Sequence, residues 1–146
     1  MHGINESLEF VPVRIAVLIV SDTRTVETDT SGTLLANRIR SAGHEVADHR
    51  IVADDVTAIR GAVSAWIADP EVDVVISSGG TGLTGRDVTP EAVTPLFEKT
   101  IDGFSVIFHQ VSFQSVGLST LQSRAVAGLA GGTFIFCLPG SNGAVK

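Results

Sequence analysis

Over its first half the chain alternates short apolar blocks with stretches whose apolar residues recur at helical spacing. Residues 14–20 form a Val- and Ile-rich run of the length of a buried strand, ending at Ser21-Asp22. Leu35, Ile39 and Ala42 stand at i, i+4 and i+7, which predicts a helix over about 30–42. Asp29, Thr30 or Ser31 would start it and Gly43 would stop it. A second strand follows over roughly 45–52. After Asp54-Asp55, the positions Ile59, Ala62, Val63, Trp66 and Ile67 make one apolar helix face, closed by Asp69-Pro70. Residues 72–77 read as a third strand. Strand-helix-strand-helix-strand is the pattern of a parallel sheet with right-handed crossovers, so the fold class is α/β.

The second half is less regular. Thr89-Pro90 has the look of an N-cap and first helical residue, and Pro95 keeps that helix short or kinked. Phe104, Ile107, Phe108 and Val111 mark another helix, entered at Asp102-Gly103. Residues 125–129, a Gly131-Gly132 turn and residues 133–138 suggest a hairpin. The Phe-Ile-Phe-Cys-Leu succession in its second arm suggests a strand buried on both faces. Residues 1–12 have no period and read as an arm before a single domain over 13–146.

Composition narrows the field of functions. A chain of 146 residues, 44% hydrophobic and 18% charged, fits one domain. A formal charge of −6 offers no basic field to a nucleic-acid backbone, so any phosphate it binds is small and held locally. The single cysteine, Cys137, lies in an apolar run and reads as a buried thiol, which suits the cytoplasm. The longest purely apolar run, 15–20, is far short of a membrane span, and Asn5, Glu6 and Glu9 do not resemble a secretory leader. A soluble protein away from membranes is expected.

The chemistry is concentrated in Ser77-Ser78-Gly79-Gly80-Thr81-Gly82-Leu83-Thr84-Gly85-Arg86-Asp87-Val88-Thr89-Pro90-Glu91, which holds four of the chain's 15 glycines. Glycines let backbone N–H groups approach an anion, and Ser78, Thr81 and Thr84 add hydroxyls. Ser21-Asp22, Asp54-Asp55, this loop and Pro139-Gly140-Ser141-Asn142 each follow the carboxyl end of an expected strand. In an open α/β sheet such ends share one edge, where ligands bind. Carboxylates beside a hydroxyl-lined loop suit Mg²⁺ bridging phosphate oxygens, and the fitting chemistry is phosphoryl or nucleotidyl transfer. Gly80-Thr81-Gly82-Leu83-Thr84-Gly85 matches G-x-G-x-x-G but fails as a dinucleotide fingerprint. It follows the third strand rather than the first, and Pro90 is the first plausible helical residue. A P-loop is excluded because Arg86-Asp87 replaces the required Lys and Ser/Thr.

The Ser77 to Gly82 stretch, the continuation Arg86-Asp87-Val88-Thr89-Pro90-Glu91 and the later Pro139-Gly140-Ser141 resemble the molybdopterin-binding domain of molybdenum cofactor biosynthesis. Leu121-Gln122-Ser123-Arg124-Ala125-Val126-Ala127-Gly128 is most similar to its protein B branch. The resemblance implies a three-layer α/β/α domain with a mostly parallel central sheet, assembled as a trimer or dimer of trimers. It implies binding of molybdopterin and, in active members, transfer of AMP from Mg-ATP to the pterin's terminal phosphate. Other enzymes of the same pathway are implied partners.

Residue by residue, Asp87 and Asp54 would be the catalytic carboxylates and the Mg²⁺ ligands. Ser21, Asp22, Ser78, Gly79, Gly80, Thr81, Gly82, Arg86, Thr89, Gly140 and Ser141 would line the pterin and nucleotide pocket. Two other classes stay open: a pterin-binding or scaffold protein without turnover, and an unrelated phosphate-ester enzyme using the same crevice. Family members also continue into a helix after the Pro-Gly-Ser turn. This chain has five residues after Ser141; were that its true end, one sheet face would lose cover, so a further C-terminal segment is expected.

Several residues carry a plainer reading. Asp54 or Asp55 is expected to cap the following helix, Trp66 to be core, and Arg86 and Arg124 to be phosphate partners or ordinary surface charges. His2, His44, His49 and His109 lack metal-ligand spacing and read as surface or packing residues.

Overall fold

A run such as Ile-Ala-Val-Leu-Ile-Val can leave water on both faces only at the centre of a covered sheet, and that is where it lies. The computed structural model describes residues 9–22 and 30–140. Its strands are β1 (Arg14–Val20), β2 (Glu45–Val52), β3 (Val74–Ser78), β4 (Lys99–Thr100), β5 (Val126–Ala130) and β6 (Thr133–Leu138). Its α-helices are α1 (Thr30–Ser41), α2 (Val56–Ala68), α3 (Thr89–Val93) and α4 (Asp102–Val116). A 3₁₀ turn at Thr94–Leu96 follows α3 and another at Gly117–Gln122 follows α4.

The strands form one sheet in the order β2-β1-β3-β6-β5-β4. β1 pairs in parallel with β2 and β3, and β3 in parallel with β6, while β5 runs antiparallel to β6 and β4. The alternating residues of β1 feed two cores. Ile15, Val17 and Ile19 pack under Leu35 and Ile39 of α1. Ala16, Leu18 and Val20 pack against Ile59, Val63 and Trp66 of α2 and Val93 of α3. Burying each of Val17, Leu18 and Ile19 stabilises by roughly 1.5–3 kcal/mol relative to leaving it in water. Among the described residues no helix is long and apolar enough to cross a membrane.

The ends of α2 follow local chemistry. Asp55 is the N-cap, accepting from the Ala58 N–H at 2.8 Å, and Asp69 closes the helix with its N–H on the Trp66 carbonyl at 3.1 Å. Trp66 is core, with its indole N–H donating to Asp48 Oδ2 at 3.0 Å.

Three expectations are corrected and one is extended. β3 starts at Val74, because Val72 is buried by packing in the α2 core rather than by strand pairing. α4 extends to Val116, beyond the Phe104 to Val111 stretch that its apolar spacing marks. Thr89 is not the N-cap of α3 but its first helical residue, with Val88 as the cap. β6 is not buried on both faces: Thr133, Ile135 and Cys137 are buried, whereas Phe134 is 44% exposed. On that side Phe104 of α4 reaches Phe136, with ring centroids 5.3 Å apart.

Candidate functional site

Because β1, β2, β3 and β6 are all parallel, their carboxyl ends open onto one edge of the sheet. The segments that follow them meet there around a cleft of ≈ 1140 Å³. Ser21 and Asp22 come from the end of β1, Asp54 from the end of β2, Ser78 through Gly82 with Arg86 and Asp87 from the end of β3, and Gly140 from the end of β6. Residues 23–29 and 141–146 lie outside the described residues, and with them Asp29 and Ser141.

The glycine loop is fixed from behind. The Gly79 N–H donates to the Leu138 carbonyl at 2.9 Å, which ties the loop to the end of β6. Thr89 is fully buried; its hydroxyl donates to the Gly79 carbonyl at 2.9 Å and its N–H to the Gly80 carbonyl at 3.0 Å. It therefore holds the loop and does not line the cleft, contrary to its expected place in the pocket. Ser78 borders the cleft, but its hydroxyl is engaged by the Pro139 carbonyl at 3.2 Å.

The aspartates are held in different states. Asp87 Oδ2 accepts the Thr84 hydroxyl at 2.7 Å and the Thr84 N–H at 3.0 Å. These bonds, chiefly the hydroxyl, hold its carboxyl below the usual range, and the Gly82 N–H and the Arg124 charge act in the same direction. The carboxylate fits there because residue 82 lacks a Cβ, which would stand 2.7 Å from Oδ2.

Asp54 is released for the cleft by Asp55, which performs the capping. Its N–H donates to Asp22 Oδ1 at 2.9 Å. Burial first, then repulsion from Asp22 and Asp87, raises the Asp54 carboxyl above its ordinary value, and Arg86 partly opposes this. A raised folded-state value means that this stabilisation is present below the ordinary aspartate range and is lost as pH rises through the folded value. Asp54→Asn is therefore expected to raise the melting temperature at pH 7 by about 1–3 °C, with the gain vanishing near pH 3. Calorimetry at the two pH values checks this, and a lower melting temperature for the variant at pH 7 would refute it.

Two parts of the site were not expected from the sequence. One wall comes from α4 and the turn after it, including Phe108, Val111, Ser112, Ser115, Val116 and Ser119. The spacing of Ser112, Ser115 and Ser119, at i, i+3 and i+7 in an apolar stretch, was the available signal. The other is Arg124, which is neither a phosphate partner in the cleft nor a free surface charge. Its Nε donates to the Gly82 carbonyl at 2.8 Å and its Nη2 to the Asp87 carbonyl at 2.8 Å, and its guanidinium pairs with Glu91.

Among the described residues no group of three or more His, Cys, Asp or Glu side chains could hold a metal ion. The Asp54 and Asp87 carboxylates at the cleft could share a hard cation only with waters or phosphate oxygens completing its shell.

Comparison with known proteins agrees with this architecture. Residues 16–146 match the family described as "Probable molybdopterin binding domain". Molybdenum cofactor biosynthesis protein B of Escherichia coli strain K12 is 52% identical over 140 residues, covering 96% of this chain and 82% of that protein. The Bacillus cereus protein of the same name is 47% identical over 135 residues, covering 92% and 80%. A crystal structure of molybdenum cofactor biosynthesis protein B superposes with a TM-score of 0.89 at 46% identity, covering 92% of this chain and 84% of that one. The chain thus belongs to the molybdopterin-binding-domain family of molybdenum cofactor biosynthesis proteins, in its protein B branch.

Proposed function

We propose that this chain adenylylates molybdopterin, using ATP with Mg²⁺ and releasing pyrophosphate. The observation that carries the reading is that Asp54 and Asp87 share one cleft with a glycine loop whose Gly80 and Thr81 N–H groups donate to no group among the described residues. Carboxylates alone would repel a triphosphate, and amides alone would bind any small anion. Together they suit a metal-bound nucleotide.

In the reaction, a terminal phosphate oxygen of molybdopterin bonds to the α-phosphorus of ATP. The bond from that phosphorus to the bridging oxygen of the β-phosphate breaks, and pyrophosphate leaves. The Gly80 and Thr81 amides and the Arg86 guanidinium would bind phosphate oxygens, while Asp87, held ionised by Thr84, and Asp54 would hold Mg²⁺. When bound, Mg²⁺ would offset charge developing on the transferred and leaving phosphates. Burial raises the Asp54 carboxyl most, and a cation between the aspartates would relieve the repulsion from Asp22 and Asp87 that adds to it.

The test is pyrophosphate release from ATP in the presence of molybdopterin, with one adenylyl-molybdopterin formed per pyrophosphate and no release when Mg²⁺ is chelated. Molybdopterin binding by calorimetry without ATP turnover would instead select a non-catalytic binding or scaffold protein.

The chain is also proposed to act as a homo-oligomer, a trimer or a dimer of trimers. α4 has no buried residue, and Val106, Ile107, Val111, Phe113 and Val116 are each more than half exposed. From Gly103 to Ser123 there is no Asp, Glu, Lys or Arg. A helix with this many apolar side chains and none of them buried is normally covered, and an exposed apolar surface of this extent marks an interface. Val106→Asp with Phe113→Asp is expected to shift the chain to monomer in sedimentation equilibrium; an unchanged mass would place the interface elsewhere.

A further inference from the structure

We propose that Arg124 is the positioning residue that fixes the far end of the glycine loop, from the Gly82 carbonyl to the backbone of Asp87. The inference rests on the reading of that loop as a phosphate cradle, and it starts from peptide geometry. There is no cis peptide bond among the described residues, and in a trans peptide the C=O and the N–H point in opposite directions. Pinning a carbonyl on one side therefore presents the following residue's N–H on the other.

Four consecutive carbonyls are pinned in this way. Thr89 takes those of Gly79 and Gly80. Arg124 takes the next two, with its own N–H on the Thr81 carbonyl at 2.7 Å and its Nε on that of Gly82 at 2.8 Å. The N–H groups paired with these carbonyls belong to Gly80, Thr81, Gly82 and Leu83. That of Gly82 is used by the Asp87 carboxylate, and Arg124 also holds the Asp87 carbonyl through Nη2 at 2.8 Å. Thr89 thus sets the Gly80 and Thr81 amides and the Arg124 backbone N–H sets that of Gly82, while the Arg124 side chain fixes the Gly82–Leu83 peptide and the backbone of the aspartate that ends the loop.

Attraction of phosphate by the positive charge of Arg124 is the competing account, and two observations oppose it. Arg124 is absent from the cleft lining, and its charge is paired with Glu91 through Nη1 and Nη2. A planar fork can serve Gly82, Asp87 and Glu91 at once, whereas a lysine ammonium is a point donor on a flexible stem. The two accounts consequently disagree about Arg124→Lys, which keeps the charge and removes the fork.

The experiment uses the full chain, inorganic pyrophosphate with Mg²⁺ as the probe, calorimetry for affinity, and ¹⁵N–¹H NMR of the Leu83 and Val88 amides, which follow the Gly82 and Asp87 carbonyls, with and without probe. Arg124→Lys is expected to weaken pyrophosphate binding about tenfold or more, the equivalent of losing one charge-assisted hydrogen bond, while circular dichroism stays unchanged. Those two amide resonances should already move in the ligand-free variant. Wild-type affinity, or unmoved amide resonances, in Arg124→Lys overturns the proposal. Should that variant not fold, Glu91→Gln leaves Arg124 in place and loosens its fork, and the same two readouts apply: weaker binding with shifted amides supports the proposal, and no change in either overturns it. Failure of the wild-type chain to bind pyrophosphate would remove the cradle reading itself, and the ligand-free amide resonances would then decide the role of Arg124 alone.

Discussion

Asp87→Asn is expected to lower molybdopterin-dependent pyrophosphate release by about a thousandfold, the scale on which removal of one pre-set electrostatic group acts. The side chains have the same shape, and an asparagine carbonyl can still accept from the Thr84 hydroxyl and N–H, which now reach Oδ2 at 2.7 and 3.0 Å. Folding should therefore survive. What is lost is a full negative charge at a point where two donors, the Gly82 amide and the Arg124 field keep it ionised.

Steady-state pyrophosphate release, with a melting curve on the same sample, checks both halves of this expectation. A rate near that of the parent chain would remove Asp87 from the catalytic role. The pH dependence has the opposite sign to that of Asp54. Because the Asp87 carboxyl is lowered in the folded state, its stabilising contribution is present above the ordinary aspartate range and is lost as pH falls through the folded value.

Gly79→Ala is expected to destabilise the chain by about 2–4 kcal/mol, at the upper end for a single methyl group. Gly79 has φ +106°, a conformation that side-chain-bearing residues rarely adopt. Its added Cβ would stand 2.4 Å from the Val20 carbonyl oxygen. That oxygen belongs to the backbone of β1, the most buried strand, so it cannot give way without disturbing the pairing of β1 with β2 and β3. Urea denaturation measures the loss. Gly85→Ala is the control: nothing lies within 4 Å of a Cβ there, and its midpoint should stay within about 0.5 kcal/mol of the parent. Equal midpoints for the two variants would show that the loop tolerates a side chain at its tightest point.

How much of this could be read from the residues depends on whether their neighbours are local. β1, β2 and β6 match their expected bounds because each is an apolar or alternating run closed by Ser, Asp, Gly or Pro. β4 was missed because Lys99 and Thr100 carry no apolar signal; the free edge of β5 makes them a strand. The burial of β6 was overestimated because an apolar run shows what a strand can bury but not which helices reach it.

The convergence of four strand ends was legible, since parallel order alone places them together. The choice of Asp54 over Asp55 came from the family resemblance and not from the pattern, because both precede the same helix and only the Ala58 N–H at 2.8 Å from Asp55 separates capping residue from cleft residue. The roles of Thr89 and Arg124 were unreadable for a similar reason. Each acts on carbonyl groups, which every residue has and which no pattern of side chains reports.

β6, the last strand among the described residues, occupies the interior of the sheet between β3 and β5. During synthesis β1, β2 and β3 can associate once the first half of the chain has emerged, but one side of β3 stays open until residues 133–138 arrive. The Gly79 N–H likewise has no Leu138 carbonyl to meet until then. Competence for ligand thus waits for residues 133–140 in a single closing step, and a nascent chain without them presents a bare strand edge of the kind that chaperones shield.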